Sequence, residues 1–287
     1  MKRILITGKD SYIGTHFKKY LEEYPEEYKV EELDVRDDSW KEHDFTPYDV
    51  VFHVAGLAHS TPDESQRELY YRVNTDLTYD VAEKAKRNRV KQFIFMSSII
   101  VYGSGRIGED RTITKDTPLT PDNFYGDSKK QAELKIRPLD DNNFKIVIIR
   151  PPMIYGPGSK GNYPLLAKFA KKTPIFPTLD NERSMLFLGN LMEFIKLMID
   201  NEESGIFLPQ NAEYVSSKEL IKEIARIHKH RIFFIGIFNP LIRWFNKNVY
   251  VNKVFGNLTI DKELSNYKNK YNKSAFKESI MQTEGRI

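Results

Sequence analysis

The chain contains no cysteine. Structural disulfides, thiolate metal sites and a cysteine nucleophile are thereby excluded, and the absence suits a reducing compartment. Long hydrophobic runs are missing as well. The most apolar stretch, Ile232 to Phe245, holds Pro240 and Arg243 and is too short to span a bilayer. Rich in Phe and Ile, it is expected to pack inside a small lobe rather than to touch a membrane or a partner. Nor does charge of one sign dominate: 44 Lys and Arg against 40 Asp and Glu leave +4. No basic block is dense enough to argue for nucleic acid, whereas a mild positive balance suits an anionic small molecule. A strand-like run begins at Arg3, which leaves no room for a signal peptide, so a cytoplasmic location is expected. Repeats and long linkers are also lacking.

At 287 residues the chain is long enough for one large domain with a satellite, and 40% apolar with 29% charged residues describes an ordinary globular composition. Arg3 to Thr7 is a short β-branched apolar run that reads as a buried parallel strand. It leads into Gly8-Lys9-Asp10-Ser11-Tyr12-Ile13-Gly14 and then an amphipathic helix through Phe17, Tyr20 and Leu21. A strand, a glycine turn and a helix aim backbone N–H groups and a helix N-terminus at a pyrophosphate. Ser11 stands where the usual pattern TGxxGxxG has its middle glycine. Tyr28 to Val35 is the next strand, and Asp34 lies about 20 residues past Gly14, where a ribose-binding carboxylate is expected. Asp34 and Val35 are alternatively lining for an adenine pocket, and nearby Arg36 keeps a 2′-phosphate in play. Only one strand fits between the glycine turn and the next buried run, Val50 to Val54, which ends in Ala55-Gly56. His53 and His59 have no cluster of further ligands beside them, so packing or polar contacts are expected rather than metal.

Asp63 to Arg87 carries a helical pattern with Asn74 inside it, and Val90 to Met96 is another buried strand, leading into Ser97-Ser98. In Tyr125-Gly126-Asp127-Ser128-Lys129 a tyrosine and a lysine four residues apart share one face of a helix. A nearby ammonium favours phenolate, so this spacing predicts a proton shuttle working near neutral pH. Chance alone supplies such pairs in a chain with 16 Tyr, and Tyr214…Lys218 is a second. Ser216 or Ser217 ahead of Glu219 is a helix-capping signature.

Thr7-Gly8…Ile13-Gly14, His53-Val54-Ala55-Gly56, Ser97-Ser98…Val101-Tyr102-Gly103 and Tyr125…Lys129 occur in the order found in extended short-chain dehydrogenase/reductases. The chain resembles their NAD-dependent epimerase/dehydratase branch, which works on nucleotide sugars, over most of its length and less so after about Leu208. The resemblance, with the alternating strands and helices, implies an α/β fold: a doubly wound, Rossmann-like parallel sheet with a smaller C-terminal substrate lobe. Residues 1–155, with 186–212 returning to them, would bind the dinucleotide; 156–185 and 213–287 would form the substrate-binding lobe. It implies Ser98, Tyr125 and Lys129 as the catalytic group. NAD, with NADP as the alternative, would lie against Gly8, Ser11, Tyr12, Ile13, Gly14, Asp34, Val35, Val54, Ala55, Gly56, Asn74, Ser97, Tyr125, Lys129, Pro151 and Met153. A UDP-sugar would meet Ser98, Asn162, Arg183 and Lys253; a guanidinium matches phosphate oxygens as a fork. A homodimer packed through the helices near 66–88 and 125–136 is implied too.

Three activities compete within that resemblance. Dehydratases of the branch carry Asp-Glu where this chain has Ile99-Ile100, and isoleucine moves no proton, so dehydration is not expected. Epimerisation at C4 of a UDP-sugar, in surface polysaccharide synthesis, is the first reading. Reduction of a UDP-4-keto-6-deoxy-N-acetylhexosamine is the second, because Met153 stands where 4-epimerases place asparagine and their later Arg-x-Gly-Asp motif is not found. A non-catalytic Rossmann sensor or scaffold is the alternative of another class, opposed by the intact Ser98, Tyr125 and Lys129.

Overall fold

A computed structural model of the protein describes residues 1–58 and 63–285. The chain forms two compact units, one from residues 1–101, 119–150 and 192–207, the other from 102–118, 151–191 and 208–287. Compared with the expected division, 102–118, 151–155, 186–191 and 208–212 group with the second unit. Thr112–Ile113 pairs with Thr259–Ile260, and Met153–Tyr155 with Met185–Phe187, which ties the first two segments there.

The first unit is built on a six-stranded parallel sheet. Side by side run Gly205–Phe207, Lys145–Ile149, Gln92–Met96, Val50–His53, Lys2–Thr7 and Tyr28–Leu33. In the inner strands both faces are covered, so Val50–His53, Gln92–Met96 and Lys145–Ile149 read as nearly continuous hydrophobic strings, while the edge strands Tyr28–Leu33 and Gly205–Phe207 are only partly buried. On one face Leu5, Val51, Phe93, Phe95, Ile146 and Ile148 pack against Val81, Ala82 and Ala85 of the helix Leu77–Arg87 and against Ala132 and Ile136 of Phe124–Ile136. Alternate residues point to the other face, where Phe17 of the helix Tyr12–Leu21 meets Phe52 edge-on and Tyr20 bonds Glu193 of Leu188–Asp200. As expected, a single strand separates the glycine turn from Val50. The strand order therefore reverses between Lys2–Thr7 and Val50–His53, and a ligand crevice belongs at their carboxyl ends.

The expected continuous helix over Asp63–Arg87 is instead four pieces. A 3-10 turn, Glu64–Gln66, and an α-helical turn, Arg67–Tyr71, precede a π-turn, Arg72–Asp76, and the helix Leu77–Arg87. The wider π-turn carries Asn74, fully buried.

In the second unit the helices Asn162–Lys172, Ser217–Ile227 and Phe276–Thr283 close on a core of Tyr155, Tyr163, Phe176, Phe187, Leu220 and Ile224. Ser216 and Glu219 form the expected capping box. The expectation for Ile232–Phe245 is overturned over most of its length. Phe234 packs on the core, but Phe233, Ile237, Phe238, Leu241, Trp244 and Phe245 stand exposed. Their short helix, Asn239–Trp244, buries none of its residues.

Candidate active site

Parallel strands all end at the same edge of the sheet, so the glycine turn, Val54-Ala55-Gly56 and Ser97-Ser98 gather at the carboxyl edge of the first unit. The turn after Lys2–Thr7 needs glycine at two places. Gly8 has φ +118°, and a Cβ there would sit 2.7 Å from the Ala55 nitrogen. A Cβ on Gly14 would lie 2.6 Å from Ser11 Oγ and 2.9 Å from Ile6 Cγ2. Position 11 makes no such demand: Ser11 is extended (φ −71°, ψ 144°), and its hydroxyl accepts the Gly14 N–H at 3.2 Å as the cap of Tyr12–Leu21. Serine thus replaces a flexible residue with a fixed cap. This cradle, which side chains would fill, fits the backbone approach a dinucleotide pyrophosphate requires. Tyr12 and Ile13 open the helix at its mouth, and burial pushes the Tyr12 phenol up to about 12.

Asp34 follows the strand Tyr28–Leu33 but points its carboxylate at Arg36, whose Nε donates to both oxygens at 2.9 Å. That guanidinium holds the Asp34 carboxyl down at about 2. Val35 is a core residue, packed with Leu5 and Val51, rather than exposed pocket lining. His53 is buried, stacked on Phe93 and Phe95, with Nδ1 on Thr7 Oγ1 and Nε2 on Thr78 Oγ1. Desolvation keeps its pKa down at about 3, so the ring is neutral. His59 lies outside the described residues.

Asn123 starts the helix Phe124–Ile136 by accepting the Gly126 N–H. Gly126 brings the helix against the chain at Ile100, where a Cβ would be 2.8 Å from the carbonyl oxygen. Tyr125 lies close enough to Ser98 for that hydroxyl to act on its phenol, and Tyr70 packs edge-on 6.1 Å from its ring. One turn on, Lys129 lies fully inside. Its Nζ donates to the Met96 carbonyl at 2.9 Å and sits 4.7 Å from the Phe95 ring centroid. A Cβ on Gly56 would come 3.1 Å from that Nζ and 2.9 Å from Asn74 Oδ1. Asn74 in turn accepts from the Leu57 N–H and donates to Ser128 Oγ.

The expected electrostatics do not hold in this arrangement. Burial pushes the Tyr125 phenol up to about 12, opposed by the Ser98 hydrogen bond, and the lysine does not offset it. Burial also pulls Lys129 down to about 8, opposed by Glu133. The ammonium is turned towards a carbonyl and an aromatic face, so its charge is spent there and not on the phenol.

Two residues essential to this geometry escaped the sequence reading. Glu133 and Arg150 form a buried ion pair, with Arg150 Nε 3.0 and 3.2 Å from the two carboxylate oxygens. Ser97 Oγ donates to the same carboxylate, so this hydroxyl is engaged internally and not held out to a cofactor. The available signal was spacing: Glu133 is one further turn along the face that carries Tyr125 and Lys129. The second tyrosine–lysine pair separates, since Tyr214 precedes the helix on which Lys218 lies and donates to the Ile260 carbonyl.

The remaining candidates lie in the second unit. Pro151 is buried, and Met153 packs on that unit's core. Asn162 opens the helix Asn162–Lys172 after Gly161, whose φ is +88°. Arg183 donates from Nε to the Gly256 carbonyl (3.0 Å) and from Nη2 to that of Asn252 (3.1 Å), closing the C-terminal end of Val249–Phe255, the helix that carries Lys253. Desolvation draws the Arg183 guanidinium down to about 10, with no carboxylate among the described residues acting on it.

The sequence profile of the NAD dependent epimerase/dehydratase family matches residues 4–208. A UDP-glucose 4-epimerase of Vibrio cholerae is 33% identical over 78% of this chain and 75% of its own length. An N-acetyl-alpha-D-glucosaminyl-diphospho-ditrans,octacis-undecaprenol 4-epimerase of Escherichia coli O157:H7 is 32% identical over 70% of this chain and 64% of its own length. In structure the chain is similar to UDP-glucuronic acid 4-epimerase from Bacillus cereus in complex with NAD. The TM-score is 0.74 at 16% identity, over 99% of this chain and 96% of the other.

Proposed function

Because the chain belongs to the NAD dependent epimerase/dehydratase family, we propose that it is a 4-epimerase of a sugar carried on a diphosphate. The observation that carries this reading is the cluster at the carboxyl edge of the first unit: Tyr125 beside Ser98, Lys129 beside Gly56 and Asn74, and the Gly8–Gly14 cradle. NAD would lie along Gly8, Ser11, Tyr12, Ile13 and Gly14, with Asp34 at its adenosine end and Val54, Ala55, Gly56 and Lys129 towards the reacting end. Arg36, beside Asp34, is the group that would accept a 2′-phosphate, so NADP is the alternative cofactor. The nicotinamide supplies a hydride acceptor and donor when bound.

The chain's own residues supply the rest. Ser98 holds the sugar oxygen by a hydrogen bond. Tyr125 takes the proton from that oxygen as the carbon is oxidised and returns it on reduction from the opposite face. With its pKa at about 12, the phenol is an acid waiting to become a base. Rotation of Lys129 Nζ away from Met96 is the move that would bring positive charge to it. In the second unit Arg183, a half-buried cation on which no described carboxylate acts, would hold the diphosphate with Asn162 and Lys253.

The UDP group in one similar epimerase's name and the N-acetylglucosaminyl group in the other's together support a UDP-N-acetylhexosamine, and the resemblance to the branch supports its handling in the cytoplasm by a homodimer for surface polysaccharide. Exposed Leu69 and Leu134, near and on the helices expected at the dimer interface, support that assembly. The polyprenyl-linked substrate in one relative's name supports a second reading, a sugar on a lipid diphosphate, which the exposed apolar segment of the second unit favours. Met153 in place of asparagine keeps the 4-keto reductase as the competing activity. The deciding experiment incubates the protein with UDP-GlcNAc, UDP-Glc and a UDP-4-keto-6-deoxy sugar, with and without NAD(P)H. Interconversion of C4 epimers without net cofactor use is expected. Stoichiometric NAD(P)H oxidation with the keto sugar would make it a reductase, and no turnover or binding of any of them would sink the reading.

A further inference from the structure

We propose that the segment Phe233–Tyr250 docks the second unit on an anionic phospholipid surface, whichever sugar the active site takes. Phe233, Ile237, Phe238, Leu241, Trp244 and Phe245 are exposed within 13 consecutive residues. Single exposed apolar residues need no explanation, whereas a concentration of this size on a folded surface marks an interaction site. The segment's order is set by the elements beneath it. Phe233–Ile235 pairs with Ile175–Pro177, and Phe234 meets Phe176 in the core, so the chain is anchored while the remaining side chains face out.

Charge identifies the occupant. Between Glu223 and Asp261 the chain has no acidic residue and six Lys or Arg. Of these, Lys229, Arg231, Arg243 and Lys247 are exposed beside the apolar residues. Aromatic side chains seated at headgroup depth with cations around them are the pattern of an interfacial anchor on anionic lipid. A second copy of the chain would bring the same cations face to face. No described helix is long and apolar enough to cross a membrane, so the contact lies on the surface of the bilayer.

The full chain tests this directly, because it carries its own reporter. Of its two tryptophans, Trp40 is 3% exposed and Trp244 is 77% exposed. With vesicles of phosphatidylglycerol and phosphatidylcholine, the protein is expected to co-sediment and its emission to shift to the blue; pure phosphatidylcholine should bind it less, and high salt should release it. Trp244→Ser with Phe238→Ser, and separately Arg243→Glu with Lys247→Glu, should each weaken binding by roughly tenfold or more. Circular dichroism and turnover of a soluble UDP-sugar should stay unchanged. Absent binding to the anionic vesicles, or equal binding by the variants, would overturn the proposal. So would a protein dimer that ignores vesicles and is dissolved by Trp244→Ser with Phe238→Ser.

Discussion

At Tyr125 burial holds the phenol at about 12, and the same burial draws Lys129 to about 8, so at pH 7 the first is neutral and the second still charged. Tyr125→Phe is expected to lower turnover by about 10²–10⁴-fold, the usual worth of general acid–base catalysis, while NAD binding by fluorescence titration survives. Tyr214→Phe should leave turnover near normal, since that hydroxyl only donates to a carbonyl. For Lys129 the folded pKa lies below the unfolded value of 10.5. The unfolded chain therefore holds more protons between pH 8 and 10.5, and this residue's contribution to stability rises with pH across that window. The melting temperature of the wild type relative to Lys129→Met should climb over the same range; a flat difference would contradict the desolvated placement. Below Lys129, Glu133→Gln leaves the Arg150 guanidinium buried without its partner and should cost about 3–5 kcal/mol in urea unfolding, far more than an exposed pair would. Joint replacement by Glu133→Leu and Arg150→Met should recover much of it.

The elements were legible to the extent that their causes are local. Arg3 to Thr7, Val50 to Val54 and Val90 to Met96 were legible as strands of one sheet because a strand buried on both faces writes its burial into nearly every position, whereas the edge strand Gly205–Phe207, short and only partly buried, left no such run. Ser216 and Glu219 were readable as a cap because the motif closes within four residues. The π-turn at Arg72–Asp76 was not, since one extra residue in a helical turn leaves no trace in composition. Arg183 was readable as a cation but not as a helix closer, because its acceptors are backbone carbonyls far along the chain. Ile232–Phe245 misled for a third reason: an apolar run spells the same whether a core or an external surface receives it. The glycine turn allows the sharpest test at this scale. Ser11→Ala removes the hydroxyl that caps Tyr12–Leu21 and should cost about 0.5–2 kcal/mol, whereas Ser11→Gly, which restores the usual pattern, should cost only a few tenths. If both cost the same, the cap contributes nothing.

For the whole molecule, the expected homodimer is checked by sedimentation equilibrium at micromolar concentration, where a monomer would remove it. The three-part construction of the first unit bears on how the chain is made. Lys145–Ile149 receives its outer neighbour only from Gly205–Phe207, after residues 151–191 have been laid down in the other unit. During synthesis from the N-terminus, at about 5–20 residues per second, the newest strand therefore waits roughly 3–12 s with one row of N–H and C=O groups unpaired. A fragment ending at Arg150 should consequently collect in aggregates while the full chain stays dispersed, as a spin-down of freshly translated protein would show. The nascent chain is most vulnerable in that interval, when the edge of an apolar sheet stands open beside the ribosome and the strand that protects it has yet to be translated.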